Sequence, residues 1–374
     1  MPDFSTAEYL TRTAAAQNLM AKQGLDALLL TTEAEIRYFT GFRTLFWQSP
    51  TRPWFLVIPL KGDPVAVIPS IGGDLMGQTW IKDIRCWPSP MPDDEGVSLL
   101  SGALKGCARI GMPMGQEASL RMPLADFDRL RGGLNAVFDD ATPLIKSLRM
   151  VKSSAEITII RQICAIGSAA FDRAGQLFHQ GQPLNEAFRA FKLALLMAGA
   201  EDVPYLVGGA GQGGYGDVIS PPTGAPLVAG DVLMLDTGAS LQGYFCDFDR
   251  NFAIGYADDA AKQAHQTLWR ATEAGLSAAR PGVTCAELFA AMQVELGGGS
   301  SVGRIGHGLG MQLTEWPSIA ANDHTILQTG MVMTLEPSIE IAPGKMMVHE
   351  ENILITDGAP ELLTKRAPAD LPVI

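Results

Sequence analysis

A chain of 374 residues, 47% hydrophobic and 18% charged, is too long for one ordinary domain and too apolar for a disordered chain, so two compact domains are expected. Its formal net charge of −12 would repel a phosphate backbone or an anionic membrane surface, which argues against nucleic acid and membrane as partners. No apolar run reaches the length of a bilayer span.

The opening stretch MPDFSTAEYLTRTAAAQNLM is acidic and amphipathic, without the basic start and apolar block of a secretory signal. Cys86, Cys107, Cys164, Cys246 and Cys285 show neither CxxC pairing nor zinc-finger spacing, so free thiols and a cytoplasmic location are expected. Up to Leu148, helical stretches alternate with short apolar strands at Asp26 to Thr32, Trp54 to Leu60 and Pro64 to Ser70, which predicts an α/β domain over residues 1–148. Ser153 and Glu156 form a capping box ahead of apolar positions at helical spacing, so a second domain, 149–374, is expected to open on a long helix. A second helix ends around Gly199, and a helical pair follows Asp258, its latter member opened by the box Thr284 to Glu287. Strand signals follow each pair, so two helices then strands, twice over, predict a duplicated α+β unit. The run VGGAGQGGYGD (Val207 to Asp217) holds too many glycines for a strand interior and lacks the lysine of a phosphate loop, so it reads as a flexible loop on the substrate side.

Four strands of the second domain each place a carboxylate among apolar neighbours: Asp236 in LMLDTG, Asp247 in YFCDFDR, Glu336 in MTLEPS and Glu350 in VHEENI. An ionised group withdrawn from water needs a cation or donors. Taken with His307, flanked by glycines in GHGLG, these hard oxygen donors suit two divalent metal ions such as manganese, cobalt, iron or zinc.

In order and spacing, Asp236, Asp247, His307, Glu336 and Glu350 resemble the metal ligands of the pita-bread metallopeptidases, the family of methionine aminopeptidase, aminopeptidase P, prolidase and creatinase. GYFCDFDR, GHGLG, LEPSI and HEENILIT are similar to successive family motifs, and LRMVKSSAEI is similar to the join after a creatinase-type N-terminal domain. The resemblance implies an α/β N-terminal domain followed by an α+β pita-bread catalytic domain with pseudo-twofold duplication, working as a homodimer. It further implies that Asp236 holds one ion, His307 and Glu336 the other, and that Asp247 and Glu350 bridge them. Hydroxide generated at the metal pair would attack a carbonyl, with Glu336 and His307 as the catalytic residues and Glu336 moving the proton.

The pattern departs from the family where two further histidines are usual: Ile219 and Thr314 stand there. Isoleucine donates no hydrogen bond and threonine carries no charge. Asp249, at a position usually threonine, shares a strand face with Asp247 by period-two alternation. Thr314, Glu315, Trp316, Asp249 and Tyr215 are the candidate substrate contacts, while alternation turns His349 away from Glu350. The expected activity is hydrolysis of a small-molecule or dipeptide substrate at a C–N bond, as by an Xaa-Pro dipeptidase. The alternative is a non-peptidase member, an amidohydrolase or a lyase of sulfonium compounds.

Overall fold

The computed structural model describes residues 4–49, 51–297 and 303–374. It divides into two compact units, Met1–Arg149 and Met150–Ile374.

The first unit carries helices α1 (Thr6–Gln23), α2 (Glu33–Thr40), α3 (Gly73–Met76), α4 (Val97–Ala103), α5 (Leu124–Gly133) and α6 (Thr142–Met150). They accompany one mixed sheet of β1 (Ala27–Leu30), β2 (Phe55–Pro59), β3 (Val65–Pro69), β4 (Asp83–Trp87), β5 (Arg109–Met112) and β6 (Val137–Asp140) in the order β4-β3-β2-β1-β5-β6. The strands foreseen at Asp26, Trp54 and Pro64 are its centre. Being covered on both faces, β1 and β2 are almost wholly apolar rather than alternating.

The second unit repeats one plan twice. Helices α7 (Ser154–Phe171), α8 (Ala174–Leu177) and α9 (Leu184–Ala198) precede a sheet in which β10 (Phe248–Ala253), β8 (Asp231–Leu241) and β7 (Asp202–Gln212) lie in that order, with β9 (Tyr244–Phe245) beside β8. Helices α10 (Asp259–Ala278) and α11 (Cys285–Glu295) then precede a sheet ordered β12-β11-β13-β16-β17, built from β11 (His307–Gly308), β12 (Glu315–Ser318), β13 (Val332–Leu335), β16 (Glu351–Leu354) and β17 (Glu361–Leu362). A hairpin of β14 (Ser338–Ala342) and β15 (Lys345–Val348) joins β13 to β16. Both capping boxes form: Ser153 Oγ accepts from the Glu156 amide and Thr284 Oγ1 from that of Glu287, each glutamate reaching back to the cap amide. Among the described residues no helix is long and apolar enough to cross a membrane.

One expectation is overturned. Val207 to Gln212 is not a loop but the second half of β7, paired with β8 from Val207↔Asp236 to Gln212↔Asp231. Its glycines are there because other backbone lies against it. A Cβ on Gly208 would strike the Met234 carbonyl oxygen, and one on Gly209 or Gly211 would come within 2.6 or 2.5 Å of the carbonyl oxygens of Asp217 or Gly214.

Candidate metal centre

The five expected ligands come from five places in the two sheets of the second unit. Asp236 lies in mid-β8, Asp247 just before β10, His307 on β11, Glu336 just after β13 and Glu350 just before β16. Asp247, His307 and Glu350 converge, each offering a ligand atom within 4.8 Å of the others. His307 Nε2 stands 3.5 Å from Asp247 Oδ2 and 3.8 Å from Glu336 Oε2. The Nδ1 of the same ring lies 2.9 Å from the Gly308 carbonyl, which accepts, so the proton sits on Nδ1 and Nε2 presents its lone pair to the carboxylates. The His307 amide is itself tied to Thr334 Oγ1 at 3.1 Å. Gly306, at φ 141°, lies so close to Thr334 that a Cβ would strike its carbonyl oxygen.

So many acids raise one another's pKa. Burial, then the neighbouring carboxylates, holds Asp247 and Glu350 well above the carboxylate range. Burial lifts Asp236 to about 7, and burial with Asp236 lifts Glu336 to about 7. Asp236 Oδ1 and Glu350 Oε1 are buried and without a hydrogen-bond partner. Four carboxylates, one oriented imidazole and two orphaned oxygens fit divalent cations, which would supply the missing partners.

The surroundings hold these groups by their backbones. Asn352 Oδ1 accepts from the Asp247 amide at 3.0 Å while its Nδ2 donates to the Asp247 carbonyl. In the reciprocal direction, Asp249 Oδ1 accepts from the Glu350 amide at 2.5 Å. The side chain of Asp249 does not pair with Arg250, which takes only its backbone carbonyl. Asp249 faces Asp236 directly across the β8–β10 pairing and is buried, its Oδ2 accepting from Asn251. It is therefore placed to position Glu350.

Two other candidate contacts lie elsewhere than expected. Tyr215 is 1% exposed, donates to Asn251 Oδ1 at 3.0 Å and accepts from the Val348 amide at 2.7 Å, so it braces the β15 end rather than meeting substrate. Glu315 is buried and ion-paired with Lys152 at 3.1 Å. Thr314 and Trp316 are half-buried, and Ile219 is 81% exposed. His349 is buried.

Sequence reasoning missed three residues. Tyr205 donates to Asp236 Oδ2 at 3.2 Å. Arg304, half-exposed, acts electrostatically on both Asp247 and Glu336. Asn352 stands two residues after Glu350, where period two alone would have put it on the same face.

The model of metallopeptidase family M24 matches residues 158–357, and that of the creatinase/prolidase N-terminal domain matches residues 12–151. The probable dipeptidase PepE of Mycobacterium bovis is 27% identical, covering 99% of this chain and 98% of its own. An Xaa-Pro dipeptidase of Pyrococcus horikoshii is 29% identical over 92% of this chain and 94% of its own. Among solved structures, dipeptidase PepE from Mycobacterium ulcerans superposes with a TM-score of 0.85 at 27% identity, covering 99% of each chain. The prolidase from Thermococcus sibiricus reaches 0.88 at 22% identity over 99% of this chain and 100% of its own, a likeness of fold.

Proposed function

This chain belongs to metallopeptidase family M24 and is a metal-dependent hydrolase, and we propose that it is a dipeptidase using two divalent ions, with Xaa-Pro dipeptides as the first substrates to try. The observation that carries the reading is the convergence of Asp247, His307 and Glu350, with buried carboxylate oxygens on Asp236 and Glu350 that no protein donor satisfies.

In this reading Asp236, Asp247, His307, Glu336 and Glu350 hold the ions. When bound there, such ions supply a water of lowered pKa and a polarised carbonyl. Glu336 is assigned the proton transfer, its side chain lying beside His307 with a third of its surface open. It takes the proton of the attacking water and returns it to the amine nitrogen as the C–N bond breaks. Gly308 fixes the His307 tautomer, while Asn352 and Asp249 fix the backbones of Asp247 and Glu350. Arg304 acts electrostatically on Asp247 and Glu336, supplying a positive charge that Ile219 and Thr314 do not.

A second reading, a small-molecule amidohydrolase or lyase, draws support from Ile219, whose exposed apolar side chain offers no oxyanion donor. The test is turnover of Xaa-Pro and other dipeptides by protein reloaded with manganese or cobalt, with Glu350→Ala as the blank. Turnover absent from the blank supports the dipeptidase. No turnover by protein that binds two equivalents of metal sinks it in favour of the second reading.

A further inference from the structure

Asp247 and Glu350 are each held from the other's strand. Asn352, two residues after Glu350, serves both the N–H and the C=O of Asp247. The backbone of Glu350 is served by two successive residues of β10, two and three places after Asp247. Its N–H donates to Asp249 Oδ1 at 2.5 Å, and its C=O accepts from Arg250 Nη1 at 2.9 Å. Arg250 offers no ligand atom, so its place beside Glu350 calls for another account.

Arg250 is itself fixed. The residue is buried, and its guanidinium lies 4.8 Å from the ring centroid of Phe248 and 5.9 Å from that of Phe171. Nη1 also donates to the Asp249 carbonyl at 2.6 Å, while Nη2 donates to Glu351 Oε2 at 2.9 Å and to the Lys365 carbonyl. A planar fork that spans several acceptors at fixed angles is what arginine supplies and lysine does not. The ion pair with Glu351 is not the whole reason for it, since that carboxylate also accepts from Thr364, the Ala367 amide and Arg366. Asn251 donates to Asp249 Oδ2 at 3.1 Å. Three consecutive residues of β10 therefore act on Glu350, two directly and one through Asp249.

We propose that Arg250 is a positioning residue for the metal site: with Asp249 it grips the Glu350 backbone on both its N–H and its C=O, and so sets where the Glu350 carboxylate points. This role presupposes that Glu350 is a metal ligand, as proposed above. It has a consequence opposite in sign to simple electrostatics. Removing a cation beside a site for divalent cations should by charge alone tighten their binding, whereas removing a clamp on a ligand should loosen it.

The test is cobalt affinity, measured by competition against a chromophoric chelator, together with the visible bands of the bound cobalt, which follow ligand geometry. Arg250→Met keeps an apolar stem over Phe248 and loses the fork, while Arg250→Lys keeps the charge and reaches fewer carbonyls. Far-UV circular dichroism and the urea midpoint of the metal-free protein establish that each variant is folded. The expected result is affinity lower by about 10–100-fold in Arg250→Met and by a smaller factor in Arg250→Lys, with displaced bands in both. Cobalt bound as tightly as in the parent, with unchanged bands, by either folded variant overturns the proposal and leaves Arg250 a partner of Glu351. Should Arg250→Met not fold, Arg250→Lys decides alone. Glu350→Ala tells the two levels apart. If it too binds cobalt as the parent does, Glu350 is no ligand and the metal reading of it falls with the proposal. Weak binding by Glu350→Ala beside unimpaired Arg250 variants sinks the positioning role alone.

Discussion

Asn352→Ala isolates the clamp on Asp247. The amide side chain serves both polar groups of the Asp247 backbone, and all of the atoms concerned are buried. Alanine leaves an N–H and a C=O without partners, each costing about 1–3 kcal/mol. With some recovery from water entering the space, a loss of about 2–4 kcal/mol in the metal-free protein follows, read from the shift in its urea midpoint. The second consequence concerns the ions. If Asp247 holds metal as proposed, loss of the hold on its backbone should weaken metal binding about 10–100-fold, measured by competition against a chromophoric chelator. Asn352→Asp keeps the acceptor for the Asp247 amide but turns an oxygen toward the Asp247 carbonyl and adds a charge, so it should do no better than alanine. An alanine variant with unchanged urea midpoint and unchanged metal affinity would refute the reasoning.

In the metal-free protein Asp236 and Glu336 titrate near 7 and Asp247, Asp249 and Glu350 are also raised, so the folded chain holds protons that the unfolded chain releases above about pH 4. Its stability should therefore fall as pH rises from about 4 to 7. His265 and His349 are lowered and act oppositely below about pH 6.5, but they are two groups against five. Urea unfolding at pH 5 and 7.5 in chelator checks the sign, and greater stability at pH 7.5 would contradict it. Lys152→Met removes the buried cation that faces the Glu315 carboxylate, which keeps the Gln312 amide, and should lower the melting temperature, with much of the loss regained in Lys152→Met/Glu315→Gln. Equal melting temperatures of the single and double variants would count against the pair. Gly306→Ala forces a side chain onto the Thr334 carbonyl at φ 141°, and should shift His307 enough to lower metal stoichiometry in equilibrium dialysis.

What could be read from the sequence was what local geometry decides. Ser153 with Glu156 and Thr284 with Glu287 announce their helices because the hydrogen bonds of a capping box close within three residues. Alternation along HEEN was enough to separate His349 from Glu350. The misread parts depend on distant partners. The glycines of β7 answer to backbone at Met234, Asp217 and Gly214, and Glu315 answers to Lys152, 163 residues earlier. Tyr215 lies in the glycine-rich run that reads locally as a substrate-side loop, whereas its hydroxyl is used by Asn251 and Val348, 36 and 133 residues on. Of the carboxylates, the residue types and spacing were visible, but their mutual distances are a property of two sheets brought together.

The clamps between Asp247 and Asn352 and between Asp249 and Glu350 join segments 105 and 101 residues apart. During synthesis the first sheet can pair as soon as β10 has left the ribosome, with Asp236 and Asp247 already in the chain but nothing holding the Asp247 backbone. Closing contacts of such long range costs loop entropy that shorter-range contacts do not. A chain released before Asn352 would therefore carry Asp236 and Asp247 but lack the clamp on the Asp247 backbone.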